Sequence, residues 1–231
     1  MIATNHSNIF VAAMWRSGST HIARGLGQML EWRPASTAGY HGEGQEQQDI
    51  NPFSAAILMP YGYQVFHQHC WGTVRNASLL RDLKVPTVVV TRSVPDTIVS
   101  IYERLHALPS FVIPGLPIQP DWHSWDRDRQ YEWLARTVTP WQCQFALTWR
   151  ASKVPVHRIH YRRFYADQHT GFTNLLNALD IDPSRVNIDE AVSAKHNLSV
   201  GLSGRGDTMP AKALGIVSST LIAMDCEDLY E

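Results

Sequence analysis

The sequence predicts a three-layer α/β fold with a mainly parallel sheet flanked by helices. Short apolar runs with the length and composition of buried strands recur along the chain, and helices of 3.6-residue period follow them. Strands that alternate with helices form parallel sheets, because each helix returns the chain to the edge where the next strand begins. The 231 residues are 44% apolar and 18% charged, which is typical of a globular protein. We therefore take residues 1–231 as a single domain.

Four strands and the helices after them carry this prediction. Residues 8–14 (NIFVAAM) form a continuous apolar run, and the helix that follows places Ile22 and Leu26 on one stripe. The other predicted strands are 62–68, 86–92 and 154–161. The other predicted helices begin near Ser93, extend from about Tyr131 to Trp149, and cover 163–179.

The segments between these elements are less regular. Residues 34–56 are rich in Gly, Gln and polar side chains and predict irregular structure. Residues 107–127 contain four prolines and predict a long loop or lid. Pro140 either kinks the helix around it or starts a second helix. The tail after residue 184 is expected to mix short helices with a Gly-rich stretch at 201–206.

Charge and composition exclude several classes of protein. Twenty Lys and Arg against 21 Asp and Glu argue against a duplex nucleic-acid binder, which usually carries a basic excess. No apolar run has the length of a membrane span, and no charged segment of a secretion signal precedes the first strand. Three widely spaced cysteines suit reduced thiols. We expect a cytoplasmic protein, and the histidines and cysteines show no zinc-type spacing.

The turn after the first strand has the composition of an anion site. Trp15–Thr20 (WRSGST) supplies one cation and three hydroxyls at the start of a helix, where unpaired amides and the helix dipole favour an anion. An ATP-type P-loop needs G-x-x-x-x-G-K-[ST], and this turn has neither that first glycine nor that lysine. By itself the turn fits an anion site and a capped strand–helix connection equally well.

A second motif follows the third predicted strand. In TRSVPDTIVS, Arg92 ends the strand and Ser100 comes two helical turns later. The carboxyl ends of parallel strands meet at one edge of a sheet, where ligands bind. An arginine fork and a hydroxyl there suit a phosphate group. The alternative is an exposed arginine and a serine on a helix face.

The two motifs, in this order, resemble those of the sulfotransferases that use 3′-phosphoadenosine 5′-phosphosulfate (PAPS). In that family a Pro-Lys-Ser-Gly-Thr-Thr type loop holds the 5′-phosphosulfate, and WRSGST is similar, with Arg16 in the place of the lysine. The family's Arg and Ser that contact the 3′-phosphate are matched in type and spacing by Arg92 and Ser100. The resemblance covers about residues 8–30 and 86–105.

The resemblance implies a P-loop-type fold and a set of donor-binding residues. These are Arg16, Ser17, Gly18, Ser19, Thr20, Arg92 and Ser100. The family also carries an Arg-Lys-Gly loop over the 3′-phosphate. Residues 203–206 (SGRG) resemble it loosely, which makes Arg205 a further candidate, with a surface turn as the alternative.

The resemblance also implies catalytic residues. His67 and His69 lie on one face of the second strand, and cytosolic members carry a Lys-x-His at the end of the corresponding strand, the His being the base. By this match His69 is the base and His67 replaces the lysine, while Arg16 stabilises charge on the sulfonate. Some carbohydrate-modifying relatives use a glutamate instead, and Glu43 and Glu46 lie in the matching interval, although a solvated loop is our preferred interpretation.

The implied activity is transfer of a sulfuryl group from PAPS to a hydroxyl or amine of a small molecule or glycan. The product of the donor is adenosine 3′,5′-bisphosphate, and this scheme requires no metal. Two alternatives stay open: a kinase-like phosphotransferase, which would lack its usual lysine and Mg²⁺-binding aspartate, and a non-catalytic nucleotide-binding module. The replacements at Arg16 and His67 keep the second alternative open. The sequence does not indicate which acceptor is used.

Overall fold

The fold is known from a computed structural model, which describes residues 6–37, 48–110, 113, 115–194 and 203–230. Its centre is a five-stranded sheet of order β2-β3-β1-β4-β5, in which every neighbouring pair is parallel. The strands are β1 (Asn8–Ala13), β2 (Arg33–Ala35), β3 (Gln64–Gln68), β4 (Thr87–Thr91) and β5 (Val156–His160). The four strands that the sequence predicts are β1, β3, β4 and β5.

Helices cover both faces of the sheet. They are α1 (Ser19–Leu30), α2 (Pro52–Leu58), α3 (Val74–Asp82), α4 (Val94–Ala107), α5 (Arg127–Ala151), α6 (Tyr161–Ala166), α7 (Gln168–Ala178), α8 (Ile188–Ser193) and α9 (Ala211–Ala223). Alternate residues of β1 enter two different cores: Phe10 packs with α4 and α5, whereas Val11 packs with α1 and α7. The three-layer α/β prediction is therefore confirmed.

The position of each strand in the sheet explains its composition. All six residues of β1 are buried, because the strand has a neighbour on each side and helices on both faces. Strand β5 lies at the edge of the sheet and is only half-buried, so it tolerates His157, Arg158 and His160. The continuous apolar run of β1 is thus the signature of a central strand.

The segment predicted as irregular contains two elements that the sequence does not reveal. Strand β2 is three residues long, without an apolar run, and exists through its pairing with β3. Helix α2 is capped by Asn51, whose side-chain oxygen accepts hydrogen bonds from the amides of Phe53 and Ser54. Both elements are short, and contacts with neighbouring parts of the fold determine whether they form.

Two helical predictions change in the structure. Helix α5 runs unbroken through Pro140, so a second helix does not start there. The predicted helix at 163–179 is divided into α6 and α7 at Asp167, whose extended backbone (φ −148°) ends α6. The Asp167 carboxylate accepts a hydrogen bond from the amide of Thr170 and so caps α7.

The proline-containing segment 107–127 is anchored at Trp122. Its indole is fully buried and packs against Tyr102 and His106 of α4. Gln130 of α5 donates a hydrogen bond to the Trp122 carbonyl, 2.9 Å away. This end of the segment is therefore fixed to the core, and a lid function stays a prediction. Within the residues that the structure describes, no helix combines the length and the apolar character needed to cross a membrane.

The chain just after β3 packs tightly against α5, and this contact holds the candidate histidines in place. Gly72 donates a hydrogen bond to the hydroxyl of Thr148, and Trp149 donates one to the Cys70 carbonyl. A Cβ atom at Gly72 would lie 2.6 Å from the ring of Trp149 and 2.8 Å from its backbone nitrogen. The helix and the loop cannot both keep their positions with a larger residue there.

We expect Gly72→Ala to lower the free energy of unfolding by about 1–3 kcal/mol, the usual cost of overpacking a core. Urea denaturation measures it. The matched control is Gly215→Ala on α9, where an added Cβ meets no atom within 4 Å. Because alanine favours helix, the control should gain up to about 1 kcal/mol. Equal stability of the two variants would contradict the packing described for Gly72.

Candidate functional site

The turn between β1 and α1 is shaped by two residues of left-handed backbone. Arg16 has φ 54° and Gly18 has φ 72°. A Cβ atom at Gly18 would lie 2.6 Å from the hydroxyl of Tyr165 and 2.8 Å from the ring of Tyr161, so only glycine fits. Gly18 is also the N-cap of α1. Because it carries no side chain, no cap hydroxyl competes for the amides that open the helix, which suits an anion.

Two of the three hydroxyls in this turn bond to the protein. The buried Ser17 donates to the carbonyl of Met14 at 2.7 Å and braces the turn. The hydroxyl of Ser19 lies 2.8 Å from Nε2 of His67 and links α1 to the end of β3. Thr20 is half-buried and lines a cavity beside α1. The predicted role of residues 17–20 in donor binding therefore depends first on their backbone amides.

The structure brings the two sequence motifs into contact. Nε of Arg16 donates to the hydroxyl of Ser100 at 3.1 Å. Nη1 of Arg92 donates to the backbone carbonyl of Arg16 at 2.9 Å. These hydrogen bonds join residues that are 76 and 84 positions apart in the chain. The two motifs thus form one site at the carboxyl edge of the sheet, as the parallel topology predicts.

Arg92 is a buried cation with several partners. Its exposed fraction is 5%, one of its nitrogens lies 3.8 Å from the carboxylate of Asp96, and its guanidinium carbon lies 4.0 Å from the ring centre of Tyr161. Burial lowers the pKa of Arg92, whereas Tyr161 and Asp96 raise it. A buried charge needs such partners, since its desolvation is costly.

Asp96 holds the 203–206 segment against α4. One carboxylate oxygen accepts the amide of Gly204 at 3.0 Å, and the other accepts the amide of Gly206 at 2.8 Å. Between them, Arg205 forms an ion pair with Glu103. The segment is therefore docked on the start of α4, which places Arg205 beside Arg16 and Arg92.

Four guanidinium groups meet at this edge of the sheet. The pKa of Arg16 is lowered first by burial and then by the charges of Arg104, Arg92 and, more weakly, Arg205. Tyr161, among the described groups that shift this pKa, raises it. Like charges held together in a partly desolvated place are stabilised when an anion of several charges binds between them.

His69 carries a defined tautomer. Its Nδ1 lies 2.8 Å from the carbonyl of Ala13, and since a carbonyl only accepts, Nδ1 carries the proton. Nε2 is therefore the basic nitrogen. Desolvation lowers the pKa of His69, the Ala13 carbonyl opposes this shift, and the charge of Arg16 adds to it. The ring is neutral at pH 7.

His67 is also neutral. Desolvation, with smaller contributions from His69 and Arg24, lowers the pKa of His67 to about 3. Its ring centre lies 5.4 Å from that of His69, with the rings edge to face. A neutral ring that bonds to Ser19 favours a positioning role for His67 over charge stabilisation. Glu43 and Glu46, the rival bases, lie outside the described residues.

Sequence reasoning missed two residues of this site, Tyr161 and Arg104, and the role of Asp96, which belongs to the second motif. Tyr161 directly follows β5 at the same edge of the sheet as Arg92, and that position is the signal that identifies it. Arg104 lies one helical turn after Ser100, so helical spacing places it on the same face of α4. The double hydrogen bond of Asp96 has no local signal, because its partners are more than 100 residues away.

Comparison with solved structures identifies the fold of the chain. The mouse sulfotransferase SULT7A1, determined in complex with PAP, superposes with a TM-score of 0.64 at 15% identity and covers 100% of this chain and 91% of its own. The chain has a sulfotransferase fold. A sulfotransferase from Alicyclobacillus acidocaldarius superposes with a TM-score of 0.54 at 11% identity over 99% of this chain and 96% of its own. No protein-family model and no curated protein matches the sequence of this chain.

We expect Asp96→Asn to release the 203–206 segment, because an amide offers only one acceptor oxygen to the two backbone amides. Hydrogen exchange measures this: the amides of Gly204 and Gly206 should exchange at least tenfold faster. Asp207→Asn is the matched control, since Asp207 directly follows the segment and is exposed. Unchanged protection in Asp96→Asn would contradict the docking role.

Proposed function

We propose that the protein transfers a sulfuryl group from PAPS to a hydroxyl or amine of a small molecule or glycan by in-line displacement. The observation that carries the proposal is the hydrogen-bonded convergence of Arg16, Ser100 and Arg92 at the uncapped start of α1. The sulfotransferase fold supports it. So does the structure of SULT7A1, which was determined with PAP bound.

The site suits a donor with two separate anionic groups. The amides of residues 17–20 and the side chain of Arg16 would hold the phosphosulfate. Arg92, Ser100 and Arg205 would hold the 3′-phosphate. The mutual repulsion of the guanidinium groups supports this fit, because a dianion between them would relieve it. PAPS, when bound, supplies an activated sulfuryl group and a phosphate leaving group.

In this proposal His69 removes the acceptor proton. Nε2 takes the proton from the acceptor hydroxyl as the acceptor oxygen bonds to sulfur, while the bond from sulfur to the donor's bridging oxygen breaks and its electron pair leaves with the phosphate. The Ala13 carbonyl, bonded to Nδ1, orients the ring and stabilises the imidazolium that forms. Arg16 stabilises the negative charge on the sulfonate and on the leaving phosphate. His67 stays neutral and, through Ser19, fixes the ends of β3 and α1 relative to each other.

A cytoplasmic setting belongs to the same proposal. The three cysteines, Cys70, Cys143 and Cys226, are free and buried. Free thiols suit a reducing compartment.

The donor class is tested by the thermal stability of the protein with two nucleotides. At 100 times its Kd, a ligand adds about 2.7 kcal/mol to the free energy of unfolding. We expect adenosine 3′,5′-bisphosphate to raise the Tm and ATP-Mg to have little effect. Stabilisation by ATP-Mg alone would replace the proposal with a kinase-like function.

Recognition of the 3′-phosphate is tested by Arg92→Ala. We expect the affinity for the bisphosphate to fall roughly 30- to 1,000-fold, or about 2–4 kcal/mol, because a buried charged hydrogen bond is lost. Adenosine 5′-monophosphate is the matched ligand, since damage to the turn would weaken both nucleotides. Calorimetry measures both affinities. A loss of equal size for the two would show that Arg92 does not bind the 3′-phosphate.

The base is tested by His69→Ala. We expect the single-turnover rate with PAPS to fall about 10²- to 10⁴-fold, while binding of the bisphosphate hardly changes. In the wild type, kcat/KM should rise with pH and level off. The midpoint should lie below the ordinary histidine range of about 6.5, because desolvation and Arg16 lower the pKa of His69.

Three control variants separate His69 from its rivals. His67→Ala should reduce the rate less, because His67 only positions Ser19. Glu43→Gln and Glu46→Gln should stay within a few-fold of the wild type. A phenol and a sugar serve as acceptors in turn. An inactive glutamate variant beside a nearly normal His69→Ala would assign the base to the glutamate.

A further inference from the structure

A groove of about 330 Å³ opens beside the candidate base. It lies between helix α1 and the neighbouring strands β2 and β3, near the β2 edge of the sheet and on the face to which Val65 and His67 point. Its floor is apolar, formed by Pro34 and Val65 among others, which are paired in register on neighbouring strands. Its remaining walls carry polar groups from Thr20, Arg24 and Ser36.

The groove leads to the reacting end of the site. His67 lines it, and the ring of His67 lies edge to face with that of His69 at 5.4 Å. Thr20, another lining residue, belongs to the turn proposed to hold the donor. A molecule in the groove therefore contacts His67, whose ring lies next to that of His69, the candidate base. In the proposed donor site Thr20 contributes its backbone amide, so its side chain stays available to a molecule in the groove.

The groove carries one positive charge. Arg24 lies in the middle of α1, is exposed, and forms no ion pair with any described residue. Among the described residues that line the groove, none is acidic. The charge of Arg24 is close enough to contribute to the lowered pKa of His67. An anionic group in the groove would be attracted to Arg24 at close range.

We propose that this groove binds the acceptor and that Arg24 selects acceptors bearing a carboxylate, of which a hexuronate is the simplest form. The inference rests on the proposed function. The volume is at the lower end of small-molecule sites, which suits a unit of one sugar. The apolar floor accepts a ring face, the hydroxyl of Thr20 bonds a sugar hydroxyl, and Arg24 pairs with the carboxylate.

The test compares two probes that differ only at carbon 6: p-nitrophenyl β-D-glucuronide and p-nitrophenyl β-D-glucoside. Their Kd values are measured by NMR saturation transfer, with and without saturating adenosine 3′,5′-bisphosphate. We expect the wild type to bind the glucuronide at least tenfold more tightly in both conditions. Arg24→Gln should remove this preference, and Arg24→Lys should keep part of it.

Arg33→Gln is the matched control, because Arg33 is an exposed arginine of neighbouring β2 that does not line the groove. It should keep the full preference. Equal binding or no binding of the two probes by the wild type would overturn the inference. So would an unchanged preference in Arg24→Gln, or an equal loss in Arg33→Gln. Displacement of the glucuronide by the bisphosphate would also overturn it, since the groove would then belong to the donor.

Binding of the bisphosphate is measured separately on the same samples, and it distinguishes the two proposals. Wild type and Arg24→Gln should bind it equally, because Arg24 lies outside the donor site. A wild type that fails to bind the bisphosphate would overturn the proposed function. Intact bisphosphate binding without any preference for the glucuronide would overturn only the inference about the acceptor.

Discussion

The buried guanidinium of Arg92 connects the parts of the site to one another. It donates to the carbonyl of Arg16 and so holds the β1–α1 turn against the end of β4. It also lies against Tyr161, directly after β5, and near Asp96 at the start of α4. Burial of a cation is unfavourable unless such partners surround it, so these segments keep their relative positions as long as the charge stays buried.

Around Arg92 the protein accumulates positive charge at one edge of the sheet. Arg16, Arg104 and Arg205 lie close enough to Arg92 or to one another that their charges shift pKa values within the group. Holding them together costs free energy, which the fold supplies through Asp96 and Glu103. A site whose cations are already in position loses little entropy when a multivalent anion binds, which is the physical basis of preorganisation.

The two histidines differ in chemistry although they are two residues apart. The hydrogen bond to Ala13 puts the proton of His69 on Nδ1 and makes Nε2 the basic atom. His67 pairs with Ser19 and is held neutral by desolvation. One ring is thereby suited to proton transfer and the other to positioning, and backbone and side-chain contacts produce this difference, not residue type.

The sequence by itself determined the fold class, four of the five strands and the two motifs that meet in the site. Buried strands and helix starts leave local patterns, such as the apolar run of β1 and the spacing of Arg92 and Ser100. Only the tertiary structure decided β2, the docking of Arg205 by Asp96, and the Ser19–His67 bond. These depend on contacts between residues far apart in the chain, 48 positions for Ser19 and His67, and such contacts leave no local pattern to read.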